Sequence, residues 1–195
     1  LENQAQYPQP DSQKPGLGFP MIRVVALISL SVGTVRDWAA AAYSGKGTGE
    51  VSLLRRLIDS LETGALLVGD AIYCTYAEIT LLAERDVDFV LPRHNERRTD
   101  FRCGTRLGRR DHIITWTKPP RRPARLSVAE WASVPDTFSL REVEVRLHRH
   151  GFRSKTIIVV TSLLDPVEYP VSALGELYAM RWEIEVDLRS LKSSL

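Results

Sequence analysis

Met21–Leu30 is a β-branched and aliphatic run that reads as a buried strand. Ser31–Thr34 supplies a turn, and Val35–Ala42 reads as the returning strand of a hairpin, although its alanines suit a short helix equally well. The glycine-rich turn Tyr43–Gly49 leads to a helix from about Glu50 to Glu62, with Val51, Leu54, Leu57, Ile58 and Leu61 on its apolar face. Ala65–Val68 is a short buried strand with Gly69 and Asp70 at its carboxyl end. Thr75 is placed to cap a helix running to about Arg85, with Glu78 three residues on to complete a capping box. Val87–Leu91 is a further strand, ended by Pro92. Hairpin, helix, strand, helix, strand is the order of an α/β layered core.

The texture changes at Arg93. No long helical period follows. Asp111–Trp116 reads as a strand, Lys118–Pro123 as a proline-basic break, and Ser127–Ala132 as a single helical turn. Arg141–His148 alternates, with Val143, Val145 and Leu147 on one face and charges opposite, the pattern of a half-exposed antiparallel strand. Lys155–Leu163 is a buried strand that pairs with it across a turn at Arg149–Arg153, and a terminal helix begins near Val171. Four regions are expected: an extended Pro/Gly connector at 1–20, a first part of the core at 21–92, a β-rich basic insertion at 93–165, and the closing part of the core at 166–195.

The terminal helix carries the most suggestive pattern. At about 100° per residue, Tyr178, Arg181 and Lys192 fall within roughly 40° of Glu185. Leu174, Leu177, Ile184, Leu188, Leu191 and Leu195 make an apolar stripe roughly 90° away, and Glu183 and Asp187 point to the far side. An ordinary amphipathic helix carries charges beside its buried stripe too, so this line alone does not define a site.

Composition narrows the field. With 44% apolar and 26% charged residues, 195 residues suit one sizeable domain or a domain with an insertion. Val24–Leu30 is too short to span a membrane, and the opening lacks a signal-peptide pattern. A chain that opens on Leu1 and runs its last helix to Leu195 without a stop signal is expected to be an internal segment of a longer protein. Cys74 and Cys103 form no C-x-x-C pair, which argues against structural zinc and for reduced thiols in the cytoplasm. Arg93–Arg125 holds eleven Lys/Arg against three acids, while the rest is mildly acidic. That asymmetry suits a polyanion partner, and it equally suits a solvated basic loop.

Asp70 stands where open α/β sheets gather reactive groups, just beyond the carboxyl end of a strand. An Asp capping a turn would look the same. If Glu185 reached the same edge, two carboxylates would converge on hard divalent cations such as Mg²⁺. His148 and His150 have no Cys or third His at ligand spacing, no nucleophile elbow supports Ser/His/Asp hydrolysis, and Gly45–Gly49 lacks P-loop spacing.

Tyr178-x2-Arg181-x3-Glu185-x6-Lys192 matches the Y-x2-R-x3-E-x6-K signature, and the chain resembles the bacterial insertion-sequence transposases with a DDE triad. Gly69–Tyr73 resembles that family's second-aspartate segment, Phe19–Arg23 the strand before it, and Thr161–Pro166 the approach to the last helix; 94–140 carries the least likeness. The resemblance implies an RNase H-like α/β core interrupted by a β-rich insertion. It implies that Asp70 and Glu185 are the second and third triad carboxylates and bind Mg²⁺ (or Mn²⁺). Tyr178, Arg181 and Lys192 would contact DNA phosphates near the transposon end. The basic run, Arg121 and Arg122 included, would add DNA contacts, unless it is the solvated loop it also resembles. Trp182 reads as a packing residue.

The family's first aspartate lies on a strand ahead of the hairpin, and neither Asp11 nor Asp37 stands in that place. The first core strand and its aspartate are therefore expected upstream of Leu1, which would leave this segment inactive by itself. The parent would cleave DNA at the element's end and join the released 3′-hydroxyl to target DNA, acting as a homodimer in a synaptic complex on the nucleoid. The alternatives are an inactive DNA-binding remnant of such a transposase and an RNase H-like metal-dependent nuclease.

Overall fold

The computed structural model describes residues 2–14, 16, 18–147 and 154–181, and the chain divides into two units, residues 1–61 and 62–195. In the first unit, β1 (Ile22–Ile28) and β2 (Val35–Ala42) form an antiparallel hairpin with Val25 opposite Ala39 and a bulge at Leu27/Ile28. The alanine-rich stretch is thus a strand, because its cross-strand partners are β-branched and aliphatic. Helix α2 (Glu50–Leu57) packs on both strands and buries Leu53, Leu54 and Leu57. A 3-10 turn at Ile58–Ser60 ends it earlier than its apolar periodicity suggests.

The described residues among 1–20 are not an extended chain throughout. Glu2–Gln6 is a short helix, α1, and glutamine side chains fold the following turns back. Gln9 donates to the carbonyl of Lys14 (2.9 Å) and accepts from the Gly18 N–H (3.2 Å), while Gln4 donates to the Gly18 carbonyl (2.9 Å). Side-chain amides here do the work of backbone pairing.

The second unit is built on one six-stranded sheet. Its strands are β3 (Leu66–Val68), β4 (Asp88–Pro92), β5 (Thr105–Gly108), β6 (Asp111–Thr117), β7 (Thr137–Leu147) and β8 (Lys155–Thr161), in the spatial order β3-β4-β8-β7-β6-β5. β3 and β4 are parallel and joined through α3 (Tyr76–Glu84); every other neighbouring pair is antiparallel. The β-rich segment therefore continues the sheet that holds Asp70, attached through the pairing of β8 with β4. This mixed α/β layer is consistent with an RNase H-like core. Residues 171–181 form a further helix, α5. It lays Leu174 and Tyr178, one turn apart, into a cluster with Val90, Val143, Val145, Leu147, Val159 and Leu163. Burying each such aliphatic side chain contributes about 1.5–3 kcal/mol.

Two local expectations are corrected. Thr75 sits at the N-cap of α3, but its side chain makes no cap bond. Glu78 is only 1% exposed and pairs with Arg125, whose Nε lies 3.1 Å from Oε1, so its carboxylate is taken by an ion pair; the Thr75 hydroxyl donates to it as well. A capping box lies instead at α4 (Val128–Ser133), where Glu130 N–H donates to Ser127 Oγ (3.1 Å) and Ser127 N–H to the Glu130 carboxylate (2.7 Å). β7, in turn, is buried on both faces over Leu140–Val143, whereas Glu144 is half-buried and Arg146 exposed, so the expected wet face is found only toward the strand's end. Arg141 is fully buried beside Val143, where Nε and Nη2 fork onto Asp111 at 2.8 and 2.7 Å and Nη1 donates to the Tyr169 carbonyl at 2.8 Å. On the other face the Glu142 carboxylate accepts from Trp116 Nε1 (2.9 Å) and lies 3.3 Å from His112 Nε2. Charges that alternate with apolar residues need not face water when each meets its counterpart. The turn with His148 and His150 lies outside the described residues.

Candidate active site

The site grows from the end of β3. Gly69 follows Val68, and a Cβ there would lie 2.9 Å from Leu91 Cδ2 and 3.2 Å from the Tyr73 ring, so a side chain between strand and turn would have to displace Leu91. Asp70 then opens a 3-10 turn at Ala71–Tyr73, with one carboxylate oxygen accepting the Ala71 N–H. The capping reading and the reactive reading of Asp70 are therefore compatible: one oxygen caps while the side chain stays exposed. Because β3 and β4 are parallel, their carboxyl ends deliver Asp70 and the Pro92–Arg93 step to the same sheet edge.

The neighbouring strand opens a cleft at that edge. β8 pairs with β4 only over Val159–Thr161, with one further bond from Arg93 N–H to the Ile158 carbonyl at 2.8 Å. Residues 155–157 of β8 run on past β4, and a cleft of about 610 Å³ lies beside them. Asp70, Arg93, Asn95, Glu144, Lys155, Tyr178 and Arg181 contribute its polar lining. Tyr178 is only 4% exposed, its ring in the core and its hydroxyl accepting from Arg181 Nη2 at 3.3 Å. The Arg181 guanidinium also lies over that ring, 5.3 Å from its centroid.

Electrostatically the cleft combines three cations with two carboxylates. Glu144 is committed: Arg110 Nε lies 2.5 Å from its carboxylate, and its N–H donates to the Arg110 carbonyl at 2.9 Å. Asp70 has no cationic partner among the described residues. An exposed carboxylate with one oxygen uncapped, at the mouth of a basic cleft, fits one ligand of a hard divalent cation that keeps several waters and takes its other ligands from phosphate. Among the described residues no group of three or more His, Cys, Asp or Glu forms a complete metal cage. Cys74 offers no alternative chemistry, because burial pushes its thiol up to about 12.

Asp70, Tyr178 and Arg181 thus share one cleft. Glu185, Lys192 and Trp182 lie outside the described residues. Arg121 and Arg122 are exposed on the segment between β6 and α4, away from the cleft lining, and Arg122 donates to the Leu126 carbonyl. Sequence reasoning did not single out Asn95, Glu144 or Lys155, and treated Arg93 only as part of a basic run. The rule that selected Asp70 applies equally to Arg93, which follows the proline that ends the parallel neighbour β4.

A parallel strand pair presenting an acidic residue to a basic cleft defines a class, and comparison with known proteins agrees: the transposase DDE domain family matches residues 3–195, and the chain belongs to that family. It is similar to the transposase InsG for insertion sequence element IS4 of Escherichia coli (strain K12), with 27% identity over 198 residues. The alignment covers 100% of this chain and 41% of that relative, so the chain spans about two fifths of its length. Among the described residues no helix is long and apolar enough to cross a membrane.

Proposed function

We propose that the protein containing this chain carries out metal-dependent phosphoryl transfer on DNA, cleaving the end of an insertion sequence and joining its 3′-hydroxyl to target DNA. The observation that carries the reading is the meeting of Asp70 with Tyr178 and Arg181 on one cleft at the carboxyl ends of β3 and β4. Asp70 and Glu185 would hold Mg²⁺ (or Mn²⁺), which supplies Lewis-acid stabilisation of the attacking and leaving oxygens. The chain's own residues position the strand. Arg181, braced by the Tyr178 hydroxyl, brings a planar donor fork to the cleft that Asp70 lines, a group that suits a phosphodiester oxygen pair. Lys192, by its spacing from Arg181 in the sequence, would add a further phosphate contact, and Arg121 and Arg122 would offer contacts away from the cleft. The β-rich 93–165 segment would act as a DNA-facing insertion, and a homodimer would bring two element ends together.

The test is made in the full-length transposase carrying this segment. Asp70→Asn and Glu185→Gln should each lower Mg²⁺-dependent end cleavage at least about 100-fold, since each removes a ligand from the reacting centre, while DNA binding persists. Cleavage within a few-fold of the parent protein for either variant would refute the assignment.

A further inference from the structure

β8 pairs with β7 along its whole length, Lys155 lying opposite Leu147, but with β4 only from Val159 onward. Its first residues therefore overhang the end of β4, held on one side by a full ladder and open on the cleft side among the described residues. Lys155 stands at the tip of this overhang, exposed, in the lining of the cleft that holds Asp70. The neighbouring charges are already engaged. Glu144 is paired with Arg110, and Arg93 Nη1 donates to the Arg97 carbonyl. Among the described residues Lys155 has no acidic partner, so its ammonium adds nothing evident to the fold. A strand end fixed by backbone pairing carries a cation more precisely than a loop does. That residue lines the same cleft as Asp70, whose carboxylate keeps one oxygen uncapped.

We propose that Lys155 is a phosphate-binding residue of this site, holding one oxygen of the phosphodiester whose neighbouring oxygen is held by the cation at Asp70. The proposal rests on the reading of Asp70 as a metal ligand. Lys155 then sets where the DNA strand enters the cleft, and its ammonium offsets the charge that a phosphodiester brings beside a carboxylate.

The test uses the full-length transposase carrying this segment and a short fluorescent DNA duplex, with Ca²⁺ in place of Mg²⁺ and binding followed by anisotropy across a salt series. Lys155→Gln should weaken binding about three- to tenfold at low salt and make the slope of log K against log[salt] shallower by about 0.9, the signature of one lost phosphate contact. Lys155→Arg should restore both, and thermal unfolding should be unchanged in either variant. In Ca²⁺ the losses from Lys155→Gln and Asp70→Asn should be less than multiplicative when combined, because both groups hold one phosphate. Unchanged affinity and slope for Lys155→Gln overturns the proposal. So does a strictly multiplicative double variant, which would put the Lys155 contact on a different phosphate. If Asp70→Asn keeps the parent's Ca²⁺ dependence, the metal reading itself fails, and the shared phosphate fails through Asp70 rather than through Lys155.

Discussion

Arg141→Leu should be among the most damaging single changes in the second unit. The guanidinium has 0% exposure and joins three parts of the chain: Asp111 on β6, its own strand β7, and the Tyr169 carbonyl in the segment that leads into α5. Removing it leaves the Asp111 carboxylate, itself only 4% exposed, without its counter-charge. Orphaning one member of a buried pair costs about 3–5 kcal/mol, and the Tyr169 carbonyl forfeits a charge-assisted bond of about 1.5–3 kcal/mol. The added apolar side chain offsets part of this, so a net loss of about 4 kcal/mol is expected against the 5–15 kcal/mol typical of a domain. At about 2–4 °C per kcal/mol for this size, Tm should fall by about 8–16 °C. Urea unfolding followed by far-UV circular dichroism measures the loss directly. Arg141→Lys should recover little, because an ammonium cannot fork onto two carboxylate oxygens and still reach the carbonyl. Arg141→Leu with Asp111→Leu should recover most of it, because no charge is then left buried. A single-variant loss under about 1 kcal/mol, or a double variant no better than the single, would refute the view that this pair is buried and coupled.

Two further outcomes follow from the same geometry. Gly69→Ala places a methyl 2.9 Å from Leu91 Cδ2, which should cost about 1–3 kcal/mol by overpacking; wild-type stability in a urea titration would mean the strand end is looser than described. Cys74 is buried with its thiol pushed up to about 12, whereas Cys103 is exposed. Ellman's reagent should therefore titrate one thiol in the native protein near pH 8 and two in denaturant, and two equally fast native thiols would contradict the burial. The sign follows from a raised folded pKa: the stability linked to the Cys74 thiol is present below its unfolded value of 9.0 and is lost as pH climbs toward 12.

Much of the fold was legible because its signals are local. The runs at Met21–Leu30, Ala65–Val68 and Val87–Leu91 became β1, β3 and β4 within one or two residues, and the position of Asp70 followed from one strand end. What failed was non-local. Thr75 and Glu78 have capping-box spacing, yet Arg125, 47 residues away, takes the carboxylate. Alternation along β7 suggested a wet face, because sequence does not show that Glu142 meets His112 and Trp116 from β6. Lys155 escaped notice for the same reason, since only strand pairing shows that β8 outruns β4. Of the line drawn along the last helix, Tyr178 and Arg181 lie among the described residues and share the cleft, but Tyr178 lies one turn after buried Leu174, so its ring belongs to the core and its hydroxyl meets Arg181.

The polar residues of β7 explain how that cleft is held together. Arg141, on the face with Val143 and Val145, ties down the segment entering α5 and so sets where Tyr178 and Arg181 emerge. Glu142, on the opposite face, binds Trp116 and lies against His112, whose Nδ1 donates to the Cys103 carbonyl at 2.7 Å, which fixes the loop after β4 against the sheet. Glu144, two residues on, grips Arg110 at the β5–β6 turn and reaches the cleft itself. Arg141 and Glu142 would each cost several kcal/mol if buried alone, and each is instead matched by a group from a different stretch of chain, as is the more exposed Glu144. The basic segment and the helix that follows it are therefore registered against the Asp70 edge by one strand. A charge placed wrongly on β7 should disturb the cleft before it disturbs the sheet, because the ladder on either side of the strand stays intact while the side chains that aim α5 and the β5–β6 turn do not.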